Sequence, residues 1–382
     1  MKKTLLAAAV LAGFAGAAQA ETSVTLYGIV DLGVGYQKIK GQGLDTSRTG
    51  LIDGAQSGSR WGLRGSEDLG GGLRATFVLE SGFNPRTGRS AQGTRLFGRQ
   101  ATIGLASDAW GEITAGRRTN VASQFFSSID PFGAGFGQAN IGTAFSVANT
   151  LRYDNVIQYT TPSIGGFQVA AGYSFDIGES ATVGDLAGAN TFATNRKDRA
   201  ITSGVRYANG PLNVAATYDQ VNASAAGAAA GDKIKSWNVG GSFDFEIVKL
   251  ALAYGQTKDG WFGSPGLQSG QSFSAVDPVT GENVAGGYTG LSFADGSKVK
   301  SYLVGLTARV GPGSLFGSWQ RADVNNTSLT GDDATQNTYS LGYTYDLSKR
   351  TNVYAYGSYA KNYAFIDDVK SQLVGVGVRH RF

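Results

Sequence analysis

The sequence predicts an all-β transmembrane barrel of about 16 antiparallel strands. Three observations support this fold class: apolar and polar residues alternate over segments of roughly ten residues, short turns alternate with long polar segments, and the chain ends on an apolar strand. The composition agrees, because 57 of the 382 residues are glycine and 11% are aromatic. Charged residues make up only 16% of the chain, which disfavours a coiled coil or a long helical array.

The first element along the chain is a predicted signal peptide, residues 1–20. Lys2 and Lys3 form a positive n-region, an apolar stretch follows, and Ala18-Gln19-Ala20 is a small-residue cleavage site before Glu21. The apolar stretch is shorter than the ~20 residues that a helix needs to span a bilayer. We therefore expect an exported mature chain, residues 21–382, that folds as one barrel.

The strands are predicted from alternation with a period of two. In the segment 301–310, Tyr302, Val304 and Leu306 alternate with Ser301 and Thr307. The same pattern occurs in the segments 24–34, 73–80, 167–176 and 212–219. Period two gives each strand one apolar face and one polar face, which in a membrane barrel face lipid and lumen. Tyrosines are expected near the membrane interfaces at Tyr159, Tyr173, Tyr207, Tyr218 and Tyr345.

The connections between strands are of two kinds. Outer-membrane barrels have short turns at the periplasmic end and longer loops at the extracellular end. The last residues alternate up to Phe382, and we expect this strand to pair with the first strand, because lipid cannot satisfy an open sheet edge. Short turns are predicted near residues 68–71, 108–111, 162–166, 209–211, 311–313 and 347–349, and long polar segments near 37–57, 120–150, 177–197, 258–297 and 324–336.

Other kinds of function receive little support. The formal net charge is +4 and no basic cluster runs along any segment, so we expect no nucleic-acid partner. With no cysteine and a single histidine, His380, the chain offers no convincing transition-metal site, no expected cofactor and no evident catalytic group. The pairs Asp332-Asp333 and Asp367-Asp368 offer carboxylates for Ca²⁺ or for divalent bridges to lipopolysaccharide, although solvated loop charge is the simpler interpretation.

Several motifs resemble the general diffusion porins of Gram-negative outer membranes. They are VTLYGIVDLGVGY at 24–36, SRWGLRGSEDLGGGLRATFVLE at 59–80, GEITAGRR at 111–118, YTTPSIGGF at 159–167, YDLSKRT at 345–351 and GVGVRHRF at 375–382. The resemblance implies a homotrimer in contact with outer-membrane lipids and lipopolysaccharide, inserted by the barrel-assembly machinery through Phe382. It also implies passive diffusion of ions and small hydrophilic solutes, and a third extracellular loop, about residues 120–150, that folds into the lumen.

Alternation places two arginines of one strand in the lumen. With Trp61 and Leu63 facing lipid, Arg60 and Arg64 face inward. By the same reasoning, Arg152 faces inward on the strand that follows the third long loop.

The resemblance implies an arginine ladder on the barrel wall, opposite carboxylates on the inward loop. By motif, Arg60, Arg117 and Arg152 fall on this ladder, and Arg99 is a further candidate. Alternation puts Arg99 and Arg117 on the lipid side, so both require a bulge or a position at a strand end.

The predicted inward loop offers one carboxylate, Asp130, in the sequence Asp-Pro-Phe-Gly. Asp130 is expected to form the negative side of the narrowest part of the pore, which the excess of arginines makes weakly anion-selective. The alternative for Asp130 is a carboxylate that caps a turn before proline. The alternative for the whole protein is a substrate-specific outer-membrane channel, in which Tyr354 and Tyr356 would contribute to an aromatic track along the lumen. An enzyme or adhesin would need a catalytic constellation or much longer loops.

Overall fold

The computed structural model describes residues 23–93, 95–177, 198–222, 233–263 and 291–382. The predicted signal peptide and much of the predicted loops at 177–197 and 258–297 lie outside these ranges. Within them, 17 strand segments form one sheet. In the described residues, no helix has the length and apolar character needed to cross a membrane.

The strands are numbered in chain order, and one α-helix, α1, lies between β6 and β7. The elements are β1 (Ser23–Gly41), β2 (Leu44–Asp53), β3 (Arg60–Gly70), β4 (Leu73–Gly82), β5 (Gln100–Ser107), β6 (Gly111–Thr119), α1 (Val121–Phe126), β7 (Arg152–Thr160), β8 (Phe167–Ser174), β9 (Arg199–Asn209), β10 (Leu212–Asn222), β11 (Lys233–Asp244), β12 (Val248–Trp261), β13 (Ser292–Val310), β14 (Gly313–Val324), β15 (Gln336–Asp346), β16 (Thr351–Lys361) and β17 (Lys370–Arg381).

The sheet closes on itself through its first and last strands. β1 pairs antiparallel with β17, so that Val30 lies opposite His380 and Val34 opposite Val376. The other edge of β1 is shared, because its second half pairs with β2 and its first half with β3. Together, β2 and β3 therefore take up a single strand position of the barrel. The result is the predicted closed antiparallel barrel of sixteen strand positions, with one strand divided in two.

The two faces of the wall differ as the alternation predicts. On β13, Leu306 is 50% exposed, whereas Leu303, of opposite parity, is 1% exposed. The exposed apolar residues of the other strands form an outward band that includes Val374 and Val376. Of the tyrosines expected near the interfaces, three are exposed on this outward face and two are half-exposed; they are Tyr159, Tyr218 and Tyr345, and Tyr173 and Tyr207, respectively.

Two of the predicted long loops are partly wrong. The segment 37–57 contains the end of β1 and all of β2, which Gln42 and Gly43 join in a tight turn. Residues 292–297, at the end of the predicted 258–297 loop, belong to β13. In both places polar residues occupy both faces of the strand, so that the period-two signal of a lipid-facing strand is lost.

The segment 120–150 between β6 and β7 is densely buried. It contains α1 and short 3₁₀ turns, and it packs against the buried face of the opposite strands. Thr202 on β9 accepts the backbone N–H of Val121 at 2.8 Å. Gln320 on β14 donates to the carbonyl of Ala139 at 2.8 Å, and other contacts of this kind follow along β13 and β16.

Candidate functional site

Seven charged side chains gather where β3 to β7 begin or end, and we call them the arginine cluster. Two carboxylates each bind two guanidinium groups, and a fifth guanidinium group lies beside them. The members are Arg60, Arg95, Arg99, Arg117, Arg152, Glu80 and Asp154.

Glu80 on β4 is the centre of one half of the cluster. Its Oε1 accepts a hydrogen bond from Nε of Arg99 at 2.6 Å and lies 3.8 Å from Nη1 of Arg60. Its Oε2 accepts the hydroxyl of Tyr27, on β1, at 3.0 Å. Arg99 directly precedes β5, which places it at the end of a strand. This position allows Arg99 to reach Glu80 although alternation puts it on the lipid side.

Asp154 on β7 is the centre of the other half. Its Oδ2 accepts Nη2 of Arg95 at 2.7 Å, and its Oδ1 accepts Nη1 of Arg117. The register of β6 with β7 shifts between Gly116 and Arg118, which is the irregularity that an inward Arg117 requires. Gly116 has φ +128°, and a Cβ there would lie 2.0 Å from the carbonyl oxygen of Ala101. Only glycine fits this bulge.

Arg152 is the fifth guanidinium group. Its Nε donates to the carbonyl of Arg99 at 3.0 Å and its Nη1 donates to the carbonyl of Thr150 at 3.2 Å. Within the part of the chain that the structure describes, Arg152 forms no ion pair, although it lies within electrostatic range of Glu80 and Arg117. Five guanidinium groups against two carboxylates leave an excess of three positive charges in the cluster.

Arg64 lies outside this cluster. It is exposed, and its guanidinium carbon lies 5.4 Å from the centroid of the Tyr27 ring, a cation–π arrangement. It is four residues further along β3 than Arg60, toward the short turn with β4. Arg64 therefore has the same parity as Arg60 on β3 but lies away from the cluster.

The structure places Asp130, which we expect on the negative side of the constriction, among backbone amides of its own segment. Asp130 is 5% exposed, and its carboxylate accepts the backbone N–H groups of Phe132 at 3.0 Å, Ala134 at 2.9 Å and Ile141 at 3.0 Å. These bonds hold the turns of the 120–150 segment, so the turn-capping alternative describes Asp130. The carboxylates that pair with the arginines are Glu80 and Asp154 on the barrel wall.

The tyrosines proposed for an aromatic track are buried. Tyr354 and Tyr356 are 4% and 5% exposed, and both pack edge-to-face on Phe136, with ring centroids 5.5 and 5.2 Å away. The hydroxyl of Tyr354 donates to Asp31 at 2.6 Å. These rings therefore pack against the 120–150 segment, and neither tyrosine is exposed. Phe136 also donates its backbone N–H to the carbonyl of Ala55.

Sequence reasoning missed three members of the cluster. Asp154 has the same parity as Arg152 on β7, and Glu80 has the same parity as Arg74 and Thr76 on β4, so the alternation carried a signal for both. Arg95 lies in the irregular segment between β4 and β5, where no periodicity indicates its direction.

The acidic loop pairs and His380 provide no evident metal-binding or catalytic group among the described residues. Among the described residues, no three His, Cys, Asp or Glu side chains form a group that would hold a metal ion. Asp332 accepts the backbone N–H of Asp367 at 2.7 Å, so the two acidic loops meet, while Asp368 pairs with Lys370 at 2.9 Å. His380 is exposed, and its Nδ1 lies 2.8 Å from the hydroxyl of Thr351.

Comparisons with known proteins agree with this architecture. A family model described as Gram-negative porin matches residues 7–364. The chain is 58% identical to an outer membrane porin protein of Bordetella pertussis, over all of both chains. It is 34% identical to outer membrane porin protein 32 of Delftia acidovorans, over 95% of this chain and 90% of that protein. Among solved structures, an anion-selective porin from Comamonas acidovorans has 29% identity and a TM-score of 0.70, over 95% of this chain and 100% of that one.

Proposed function

The chain belongs to the Gram-negative porin family, and we propose that its arginine cluster and the segment 120–150 together form a weakly anion-selective constriction. As a member of this family, the protein is an outer-membrane β-barrel channel and not an enzyme. The solutes proposed for it are ions and small hydrophilic molecules, which pass by diffusion. The observation that carries the proposal is the excess of three positive charges in the cluster.

The segment 120–150 narrows the barrel by folding into its lumen. Support comes from its partners, Thr202, Ser301, Gln320 and Ser358, which all lie on the buried face of their strands. The outward face of the same strands carries the exposed apolar residues. A segment that leaves the wall at β6 and contacts strands as distant as β16 therefore crosses the lumen. This leaves the passage between the segment and the arginine wall.

In the proposed passage, the excess charge lies on one side. The arginine wall carries the excess positive charge, whereas Asp130, the carboxylate of the segment, is buried and bound to backbone amides. Charges that line a narrow, water-poor passage interact with an ion more strongly than the same charges in bulk water. An anion is thus favoured at the constriction. The resemblance to a solved anion-selective porin supports the same sign.

The homotrimer and the assembly route are further parts of the proposal. Support for assembly through the C-terminus comes from Phe382, whose backbone exchanges two hydrogen bonds of 3.1 Å with Gly28 at the closing seam of the barrel. The membrane position follows from the outward apolar band, which faces the lipid of the outer membrane.

Single-channel recording in planar bilayers with competing sugars tests general diffusion. For a general pore we expect chloride current that falls gradually with the size of the added sugar and does not saturate with the concentration of any one sugar. Steep, saturating block by a single sugar would instead indicate a substrate-specific channel with a binding site in the lumen.

A further inference from the structure

Six residues, 54–59, divide one strand position of the barrel into β2 and β3. Asp53, the last residue of β2, lies opposite Leu32 of β1, and Arg60, the first residue of β3, lies opposite Ile29. Only two residues of β1 span the same distance. Because extra residues on one strand of a pair have no partner in the ladder, segment 54–59 has to leave the sheet.

Segment 54–59 lies on the buried face of the wall, where Asp31 holds it. Asp31 is buried, and its parity is opposite to that of the exposed apolar residues of β1. The carboxylate of Asp31 accepts the backbone N–H of Ser57 at 2.7 Å and the hydroxyl of Tyr354 at 2.6 Å. The backbone carbonyl of Asp31 accepts the N–H of Gly54 at 2.9 Å. These bonds give the segment a defined position on the inner side of β1.

One side of segment 54–59 contacts the tip of segment 120–150. The carbonyl of Ala55 accepts the backbone N–H of Phe136. A Cβ on the glycine that precedes Phe136 would overlap the carbonyl oxygen of Gln56, so no larger residue fits between the two backbones. Segment 54–59 is therefore in direct backbone contact with the segment proposed to narrow the barrel.

The other side of segment 54–59 faces the arginine cluster through Gly58. The carbonyl of Gly58 accepts Nε of Arg60 at 2.9 Å. A Cβ built on Gly58 would lie 3.0 Å from Nη1 of Arg99. Among the described residues, and apart from Gly58 and its chain neighbours, only this guanidinium group has atoms within 4 Å of that position. Gly58 is also partly exposed, so a side chain there would extend into the space beside Arg99.

From these contacts we propose that segment 54–59 forms a third side of the constriction and that Gly58 is a specificity-determining position of the pore. The inference rests on the proposed function, because it places Gly58 at the same anion-selective passage. Glycine leaves the guanidinium group of Arg99 open to the passage, so that solutes pass close to its charge. A carboxylate at position 58 would pair with Arg99, and a larger neutral side chain would narrow the passage.

Charged thiol reagents at an engineered cysteine test this position, because the chain has no cysteine of its own. In Gly58→Cys, 2-sulfonatoethyl methanethiosulfonate adds a negative charge and 2-(trimethylammonio)ethyl methanethiosulfonate adds a positive one. We expect the negative group to lower the chloride-to-potassium permeability ratio in planar bilayers by about fivefold, the effect of one unit charge at ~4 Å in water, and the positive group to raise it. Methyl methanethiosulfonate adds no charge and should reduce the conductance with little change of the ratio.

Gly50→Cys is the matched control. Gly50 lies on β2, where no atom lies within 4 Å of the Cβ position, and the same reagents should leave the permeability ratio there at the wild-type value. Mass spectrometry shows whether each cysteine has reacted. Gly58→Asp tests the position without a reagent and should lower the ratio by about fivefold, whereas Gly50→Asp should not. Substitutions at position 58 require a shift only of the flexible end of Arg99, so we expect folded barrels.

Equal shifts of the ratio at positions 58 and 50 would overturn the proposal, as would a reacted Gly58→Cys channel that keeps the wild-type ratio. Failure of Gly58→Cys to react while Gly50→Cys reacts would also overturn it, because position 58 would then lie away from the water-filled passage. A wild-type pore without anion preference would contradict the proposed function, yet opposite shifts with the two charged reagents at Gly58→Cys would still support this inference. An anion-selective wild type with an insensitive position 58 would contradict this inference alone.

Discussion

At the residue scale, the groups that bind a carboxylate determine its structural role. Asp154 and Glu80 have guanidinium partners and remain part of the charged wall. Among the described residues, the hydrogen-bond partners of Asp130 are backbone amides, and its side chain is buried. Burial raises the pKa of Asp130 from 3.8 to about 6, and the amides of Ile141, Ala134 and Phe132 oppose this shift. One carboxylate thus shapes the loop, while the other two reduce the net charge of the arginine cluster.

Asp130 predicts a pH dependence of stability. A carboxyl whose pKa is raised on folding keeps its proton longer when folded, so its contribution to the free energy of unfolding is fully present below about pH 4 and declines as the pH rises toward 6. Relative to Asp130→Asn, the wild type should lose on the order of 3 kcal/mol across this window and remain constant above it. Urea unfolding in lipid vesicles measures the difference. A difference that does not vary with pH would contradict the assigned surroundings of Asp130.

Asp154 predicts a gain of selectivity. Asp154→Asn removes a negative charge that Arg95 and Arg117 share, so the excess positive charge of the cluster rises by one. We expect a higher chloride-to-potassium permeability ratio in planar bilayers. Asp244→Asn, at the short turn that follows β11, is the control and should leave the ratio unchanged. An unchanged ratio in Asp154→Asn would place Asp154 outside the conduction path.

At the element scale, the strand faces follow from local sequence, whereas the cluster does not. Alternation sufficed to place Leu306 outward and Arg60 on the inward face, because a strand has only two faces. The pairing of Glu80 with Arg99 depends on a strand end, and that of Asp154 with Arg117 on a bulge. The burial of Asp130 depends on contacts within a long connection. Such features arise from tertiary packing, which a period-two pattern does not encode.

Leu306 tests the assigned faces of β13. Leu306→Arg places a charge on the lipid side near the middle of the membrane and should cost about 2–4 kcal/mol. Thr307→Arg, at the next residue, faces the lumen and should be mild. Folding into lipid vesicles at increasing urea concentration gives both values. Equal tolerance of the two substitutions would show that the face is wrongly assigned.

Gly116 tests the bulge that turns Arg117 inward. In Gly116→Ala the new methyl group meets the carbonyl of Ala101, which lies 2.0 Å from the Cβ position, so the bulge has to move. We expect Arg117 to separate from Asp154 and the permeability ratio to change. Gly50→Ala on β2, where no atom lies within 4 Å of the Cβ position, is the matched control. If the two variants had identical permeability ratios and stability, the bulge would have no role in positioning Arg117.

At the scale of the whole molecule, strand pairing closes the barrel, and the arginine cluster adds positive charge to its wall. Pairing of β1 with β17 removes the open edge that lipid could not satisfy, and the segment 120–150 packs against the buried face of the wall. The proposed constriction lies between this segment and the arginine cluster. The closed barrel and its pairing of first and last strands were predictable from the sequence, since alternation and the apolar C-terminus are local signals. Which carboxylates face the arginines was not.

Reversal potentials across planar bilayers test the central claim, that the arginine cluster makes the pore favour anions. In dilute KCl the wild type should prefer chloride, and the preference should weaken in 1 M salt, where the Debye length is about 3 Å. Arg60→Ala/Arg152→Ala should lower the chloride-to-potassium ratio by at least about fivefold, because even one of the two unit charges removed contributes about 1 kcal/mol at 4 Å in water. Arg206→Ala, an arginine bonded to Asn213 near a short turn, should leave the ratio unchanged. A wild-type pore that prefers potassium, or a double variant with the wild-type ratio, would contradict the account.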